Sequence, residues 1–165
     1  MSVDSAKLNA LILYIGSNPY VQQLGVTKLW KIIYFIEVTA LREIGQTITN
    51  SEFIKYEHGP VPSRGDKALK QLQREHKIHL TQSRLGQYRI NQINVEETVD
   101  LADHATLSSQ ELEIIDRVCR TYGGKSASFL SELSHQEPAW FYAKKLEKLS
   151  PELMLYGFGE DSEGL

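Results

Sequence analysis

The chain has 165 residues and a formal net charge of −3, with 41% hydrophobic and 24% charged residues. This length and composition predict one globular domain with a core of its own, and they exclude a disordered or fibrous chain. No apolar run approaches the ~20 residues that a membrane-spanning helix needs, and no secretory leader is expected. The single cysteine excludes an internal disulfide, so the sequence predicts a cytoplasmic protein without membrane contact.

The charge is unevenly distributed along the chain. Residues 28–93 contain eleven Lys and Arg against six Asp and Glu, whereas residues 94–165 contain six against fourteen. A basic middle permits contact with nucleic acid, but the net negative charge does not favour it. The alternative is that the two parts neutralise each other within one domain.

Two helices are predicted at the start of the chain. Apolar residues at three- and four-residue spacing predict a helix over 3–18, with Asp4 or Ser5 as its cap. The same spacing predicts a second helix over 26–45, with Thr27 as its N-cap and a glycine at its end. The second helix is the more apolar of the two, so we expect it at the centre of the core.

An extended segment follows over residues 46–62, where the helical period is lost. Its end, YEHGPVP (Tyr56–Pro62), carries two prolines that fix φ and predict a stiff corner. One interpretation is a rigid structural corner, held down by Tyr56 packing on the second helix. The other is a pre-ordered segment that contacts a partner directly.

A third helix and a hairpin are predicted next. The helix spans 63–77, and the hairpin pairs 78–82 with 88–93 around Gly86, where a positive φ is available. Residues 94–106 are polar and acidic, which is typical of a linker or a loosely docked strap.

The last third of the chain is again helical. Ser108 and Glu111 have the spacing of a capping box at the start of a helix over 107–123. Shorter helices are predicted at 126–135, 137–148 and 150–154. The elements together predict an α+β fold, predominantly α-helical: one multi-helix domain over 1–156 with a small antiparallel β-hairpin and an extended Gly-Pro corner. Residues 157–165 are predicted to be an acidic, flexible tail.

No group of residues predicts catalysis, a cofactor or a metal site. The segment YGGKSAS resembles the end of a phosphate-binding loop, but Cys119 stands where that motif requires glycine. His76 and His79 supply too few ligands for a metal ion. His135 beside Glu137 is interpreted as a helix-end residue rather than an acid–base pair. The sequence therefore predicts a protein that is not an enzyme.

The order of three helices and a hairpin is similar in outline to a winged helix-turn-helix. Basic residues would then line the third helix and the hairpin tip: Lys67, Lys70, Arg74, Lys77 and Arg84. The connection over residues 45–62 is far longer than the three- or four-residue turn of that motif. A DNA-binding autoregulator is therefore the alternative interpretation, and a solvated basic face is the simpler one.

Two blocks of the sequence resemble a known domain family. Residues 26–62 and 107–140 are similar to the Panacea domain, also called the SocA-type antitoxin domain, of phage-associated GepA-like proteins. The matching positions are Lys28, Leu29, Tyr34, Gly45, Ile48, Thr49, Phe53, Tyr56, Gly59, Pro60, Val61, Leu133, His135, Pro138 and Trp140. Asn50 stands where glycine is usual, and His58 stands where tyrosine is common.

The resemblance implies a helical antitoxin that neutralises a cognate toxin, encoded by an adjacent gene, through direct protein–protein contact and without a cofactor. It leaves a homodimer open. The candidate partner-binding or structural residues are Lys28, Tyr34, Phe53, Tyr56, Gly59, Pro60, Val61, His135, Pro138 and Trp140. The aromatic run Trp140–Tyr142 is expected in helix packing, with an interface anchor as the alternative. An adaptor that delivers a partner to a protease is a further alternative, suggested by the acidic tail.

Overall fold

The computed structural model describes residues 2–97, 99 and 105–157. Within these residues the chain forms six α-helices, four β-strands and one 3-10 helix. In chain order they are α1 (Ser5–Gly16), α2 (Val26–Ile44), β1 (Phe53–Tyr56), β2 (Gly59–Pro62), α3 (Gly65–Arg74), β3 (Ile78–Leu85), β4 (Tyr88–Val95), α4 (Ser109–Tyr122), α5 (Ala127–His135), α6 (Pro138–Tyr142) and the 3-10 helix (Leu153–Leu155). The predicted α+β, helix-dominated fold is confirmed.

Helix α2 is the centre of the fold, as the sequence predicts. Twelve of its 19 residues are buried, because α4, α5 and β2 all pack against it. It begins at Val26, two residues before the start that a Thr27 N-cap implies. Its N-cap is Gly25 rather than Thr27, and no side chain caps its first turn. It ends at Gly45, whose φ of 78° is the left-handed conformation that glycine adopts readily.

The predicted extended corner is one strand of a hairpin that the sequence did not predict. Strands β1 and β2, the first hairpin, pair antiparallel from Phe53 opposite Pro62 to Tyr56 opposite Gly59. Prolines are tolerated in β2 because a two-stranded sheet consists of edge strands. The segment is therefore extended, as expected, but its geometry is fixed by pairing as well as by the prolines.

The second hairpin, β3 and β4, pairs along all eight residues of each strand. Its turn contains Gly86 with a φ of 63°, in agreement with the prediction. The amide of Ile93 donates a 2.8 Å hydrogen bond to the carbonyl oxygen of Leu24. That bond fastens β4 to the segment preceding α2. Helix α3 is shorter than predicted and packs on α1 and β3.

The last helices agree with the sequence at their starts and differ at their ends. The capping box of α4 is present, with Glu111 N donating to Ser108 Oγ at 3.1 Å and Ser108 N to Glu111 Oε1 at 2.8 Å. The helix predicted over 137–148 ends at Tyr142. The cause is non-local, since Lys55 N donates a 2.9 Å hydrogen bond to Glu147 O and draws this segment along β1.

Some predicted segments lie outside the described residues. These are residues 98 and 100–104 of the predicted linker, and all of the predicted tail except Gly157. The start of that linker, residues 94 and 95, belongs to β4. The division into a domain and a tail, and the protease adaptor that the tail suggests, stay predictions. No helix in the described part of the chain is long and apolar enough to cross a membrane.

Candidate partner-binding site

A buried lysine lies beneath the first hairpin. Lys31, on α2, has 1% of its surface exposed, and its Nζ donates a 3.2 Å hydrogen bond to the carbonyl oxygen of Pro60. No ion pair to Lys31 is present among the described residues. Burial penalises the charged amine and lowers the pKa of Lys31 to about 7. The amine and the Gly-Pro segment therefore form one packed unit.

Gly59 is required at this contact because no side chain fits there. Its φ is 126°, and a Cβ atom would lie 2.5 Å from both Lys31 Cε and Ser134 Oγ. Strand β2 consequently packs directly between α2 and α5. The glycine of the YEHGPVP segment thus sets how closely the first hairpin approaches the core.

Aromatic side chains hold the junction between α5 and α6 against β1. The rings of His135 and Trp140 stack at 4.0 Å with a 13° interplanar angle. Trp140 Nε1 donates a 3.1 Å hydrogen bond to the carbonyl oxygen of Tyr56, and Lys55 Nζ lies 4.1 Å from the centre of the Trp140 ring. The structure therefore brings together residues that the sequence placed in two separate blocks.

The surroundings of His135 lower its pKa. Burial is the largest cause, a hydrogen bond with the backbone of Glu57 opposes it, and Coulombic interactions with Lys31, His58 and Lys55 act in the same direction as burial. Its Nε2 atom is buried without a hydrogen-bond partner in the part of the chain that the structure describes. The ring acts as an aromatic platform for Trp140 rather than as a helix cap.

Large apolar side chains remain exposed around this junction. Tyr56, Phe141, Tyr142 and Leu146 are 45%, 57%, 65% and 59% exposed, and we call them the aromatic surface. Their segments are adjacent because Lys55 connects them: its Nζ donates to Ala143 O at 3.0 Å, and its carbonyl oxygen accepts from Leu146 N at 2.9 Å. A cluster of exposed aromatic residues is typical of an interaction site.

The expected packing of Tyr56 on α2 is wrong, since its ring is exposed and only its backbone is held. Phe53, three residues earlier, fills that place. Its ring meets the Tyr34 ring edge-on at 5.2 Å in the core. The two residues belong to one short strand, and the sequence alone does not decide which of them points inward.

The remaining motif residues lie in structural positions away from the aromatic surface. Lys28 Nζ donates to the carbonyl oxygens of Gln22 and Gly123, at 2.5 Å and 2.6 Å, and so joins the loop before α2 to the end of α4. Val61 is half-buried against the core, and Pro138 is buried in the first turn of α6. These residues position the site without lining it.

Besides Lys31, two further charged residues that support the site were missed by the sequence analysis. Glu37 is fully buried and accepts hydrogen bonds from Ile48 N at 2.5 Å, from Thr49 N at 3.1 Å and from the Thr49 hydroxyl. Burial raises the pKa of Glu37. A lone carboxylate within the apolar stretch 32–38 was the signal that could have revealed it.

Arg42, the other of these two residues, fastens the C-terminal segment to α2. Its guanidinium donates to Met154 O at 3.0 Å, to Tyr156 O at 2.9 Å and to Glu137 Oε1 at 2.9 Å. Glu137 immediately precedes α6, so this contact positions the helix that carries Phe141. No local pattern in the sequence indicates these partners, which lie about a hundred residues away.

The basic residues of the winged-helix hypothesis lie elsewhere, on α3 and the second hairpin. Lys67, Lys70, Arg74 and Arg84 are exposed, and Lys77 is half-buried. Lys70 forms a 2.9 Å ion pair with Asp66, and Lys77 lies 3.7 Å from Glu75. Because α3 packs mainly on α1 and β3, the tight α2–α3 pair of a helix-turn-helix is not formed.

Comparison with known families gives one relevant match. A family model described as antitoxin SocA-like, Panacea domain, matches residues 29–141, which is more than half of the chain. The matched region runs from the start of α2 to Phe141 and includes the first hairpin, His135 and Trp140. Searches of curated proteins and of solved structures find no significant match.

Proposed function

This chain belongs to the SocA-like antitoxin family that the Panacea domain defines, and from this premise we propose that it neutralises a cognate toxin protein by binding it through the aromatic surface. The observation that carries the proposal is the exposure of Tyr56, Phe141 and Tyr142 beside the family's Gly-Pro segment. No step of catalysis is required of the chain, because occupying the toxin is sufficient for neutralisation.

The aromatic surface suits a tight protein contact. Large aromatic side chains contribute most of the binding energy at interfaces, with polar residues at the rim. Here the exposed Lys144 and Lys145 supply such a rim. The backbone beneath the surface is fixed by the Trp140–Tyr56 hydrogen bond, so little ordering is needed when a partner docks.

The proposal is tested with the protein product of the neighbouring gene as the partner. We expect the two chains to co-purify and this chain to restore growth to cells that express the partner. Phe141→Ala combined with Tyr142→Ala should raise the Kd at least about tenfold, or about 1.4 kcal/mol, because two contact rings are lost. Calorimetry or biolayer interferometry measures the Kd.

The matched control is Tyr20→Ala combined with Phe129→Ala, which removes two aromatic rings of comparable exposure, 49% and 45%, from other elements. It should leave the Kd within about twofold of wild type. A normal Kd for the Phe141/Tyr142 variant would show that the surface is wrong while the function stands. A harmless neighbouring product that does not co-purify would overturn the function itself.

A further inference from the structure

A second surface of the molecule carries a positive charge that the antitoxin proposal does not use. Between Arg64 and Val95 the sequence contains seven Lys and Arg but two Asp and Glu, in a chain whose net charge is −3. Helix α3 and the second hairpin are built from this segment and pack on each other. The aromatic surface, by contrast, lies on β1, α6 and the segment after α6.

Within the part of the chain that the structure describes, several of these cations have no acidic partner. Lys70 and Lys77 are paired with carboxylates of their own segment. The exposed cations for which the described residues provide no ion pair are Arg64, Lys67, Arg74, Arg84 and Arg89, and we call them the basic surface. Their charges are therefore open to an anionic partner.

The tip of the second hairpin concentrates this charge. Arg84 and Arg89 are directly opposite each other in the register of β3 and β4, next to the turn. Like charges at directly opposed positions destabilise a hairpin. Neither strand, IHLTQSRL or YRINQINV, contains an Asp or Glu that could relieve the repulsion. Two arginines at this position are compensated when an anion binds between them.

The shape of the region selects the kind of anion. Strands of eight residues reach about 26 Å, and the described side chains from Thr81 to Arg89 are exposed or half-buried, so the turn end of the hairpin extends beyond Ile90, which packs against Gly25. A two-stranded ribbon of this width fits the major groove of B-DNA. The cations of α3, at the base of the hairpin, would then face the flanking phosphates.

We propose that the basic surface binds duplex DNA, with the hairpin tip in a groove and α3 against the backbone. The cations of the basic surface would contact phosphates, and such contacts position the protein on the duplex without themselves reading its sequence. The proposal is independent of the antitoxin function. It adds Arg64 and Arg89 to the residues that the sequence suggested, and it removes the paired Lys70 and Lys77.

The test measures binding of the full chain to a labelled duplex of about 24 base pairs by fluorescence anisotropy. We expect affinity to fall steeply between about 50 mM and 200 mM salt. Arg84→Gln combined with Arg89→Gln should weaken binding about tenfold or more and reduce the slope of log K against log salt by about 2. The Tm of this variant should equal or exceed that of wild type, since the opposed charges are gone.

Two further variants keep the test decisive. Lys67→Gln combined with Arg74→Gln, on α3, should weaken DNA binding similarly whether or not the hairpin variant folds. Lys125→Gln combined with Lys148→Gln removes two exposed lysines outside both surfaces and should change the Kd for DNA less than about twofold. An equal loss in this control, no binding of wild type at low salt, or binding to phosphatidylserine vesicles in place of DNA would overturn the proposal.

Discussion

Lys31 shows how a single residue links the core to the functional surface. A buried ammonium without a carboxylate is unfavourable, and the protein lowers the cost by favouring the neutral amine, with a pKa of about 7. Either protonation state can donate to the carbonyl oxygen of Pro60. The hydrogen bond beneath the first hairpin therefore persists through neutral pH, while the free-energy cost of burying the Lys31 amine changes with pH.

The free energy of unfolding should rise between about pH 7 and pH 8. In this window unfolded Lys31, with a pKa near 10.4, binds a proton that the folded residue has largely lost, so raising the pH favours the folded state. The slope has an upper limit of about 1.4 kcal/mol per pH unit for one such group. Urea titrations at several pH values measure it.

Lys31→Met is the variant that checks the origin of this rise, because it keeps an unbranched apolar stem as far as the position of Cε and removes the titrating amine. The rise should become shallower in this variant; burial also lowers the pKa of Lys28, which acts in the same direction as Lys31. The titrations stop at about pH 8 because burial raises the pKa of the Cys119 thiol to about 12. Above the usual pKa of a cysteine the unfolded thiol loses a proton that the folded thiol keeps, so a further rise in pH lowers the free energy of unfolding. An unchanged slope in Lys31→Met would show that Lys31 is not responsible.

At the scale of elements, the packing of the first hairpin against α2 and α5 depends on one glycine. Gly59→Ala should destabilise the protein by about 2–4 kcal/mol, because the new Cβ meets Lys31 and Ser134 and the backbone has a φ of 126°. Gly45→Ala is the matched control. It also has a positive φ, 78°, but no atom lies within 4 Å of its Cβ position, so we expect a cost of about 1 kcal/mol. Urea denaturation gives both values, and equal costs would contradict the packing argument.

The elements that local chemistry determines could be predicted from the sequence. The capping box of Ser108 and Glu111, the glycine end of α2 and the turn at Gly86 each depend on residues close in the chain. The end of α6 could not be predicted, because it is set by the hydrogen bonds between Lys55 and the segment at Glu147. Hydrogen bonds between residues about ninety positions apart leave no local pattern in the sequence.

The candidate site shows the same limit. The resemblance pointed to Gly59, Pro60, His135 and Trp140, and the fold brings them together, but their family positions did not say which side chains would be exposed. Among the motif residues Tyr56 is exposed, and the other exposed side chains, those of Phe141, Tyr142 and Leu146, follow the motif. The partners of the buried charges are likewise recognisable only in the fold, since Lys31 donates to Pro60 of the first hairpin and Glu37 accepts from Ile48 and Thr49 before it.

At the scale of the whole molecule, the charge asymmetry of the sequence corresponds to a division of the surface. The cations of residues 64–89 lie on α3 and the second hairpin, which pack against α1. The aromatic surface lies on β1 and α6, which the Arg42 contacts fasten to the far end of α2. Because the two surfaces use different elements, their variants should act separately.

We therefore expect the two surfaces to bind their ligands independently of each other. Phe141→Ala with Tyr142→Ala should leave the affinity for duplex DNA unchanged, and Arg84→Gln with Arg89→Gln should leave the affinity for the toxin partner unchanged. The four substitutions combined should add within about 0.5 kcal/mol for each ligand. Salt concentration should also distinguish DNA binding from toxin binding. Phosphate contacts weaken steeply as the salt concentration rises, whereas apolar contacts do not. If the arginine variant weakens partner binding as strongly as it weakens DNA binding, the basic surface belongs to the protein interface, and the acidic molecule that it meets is the toxin.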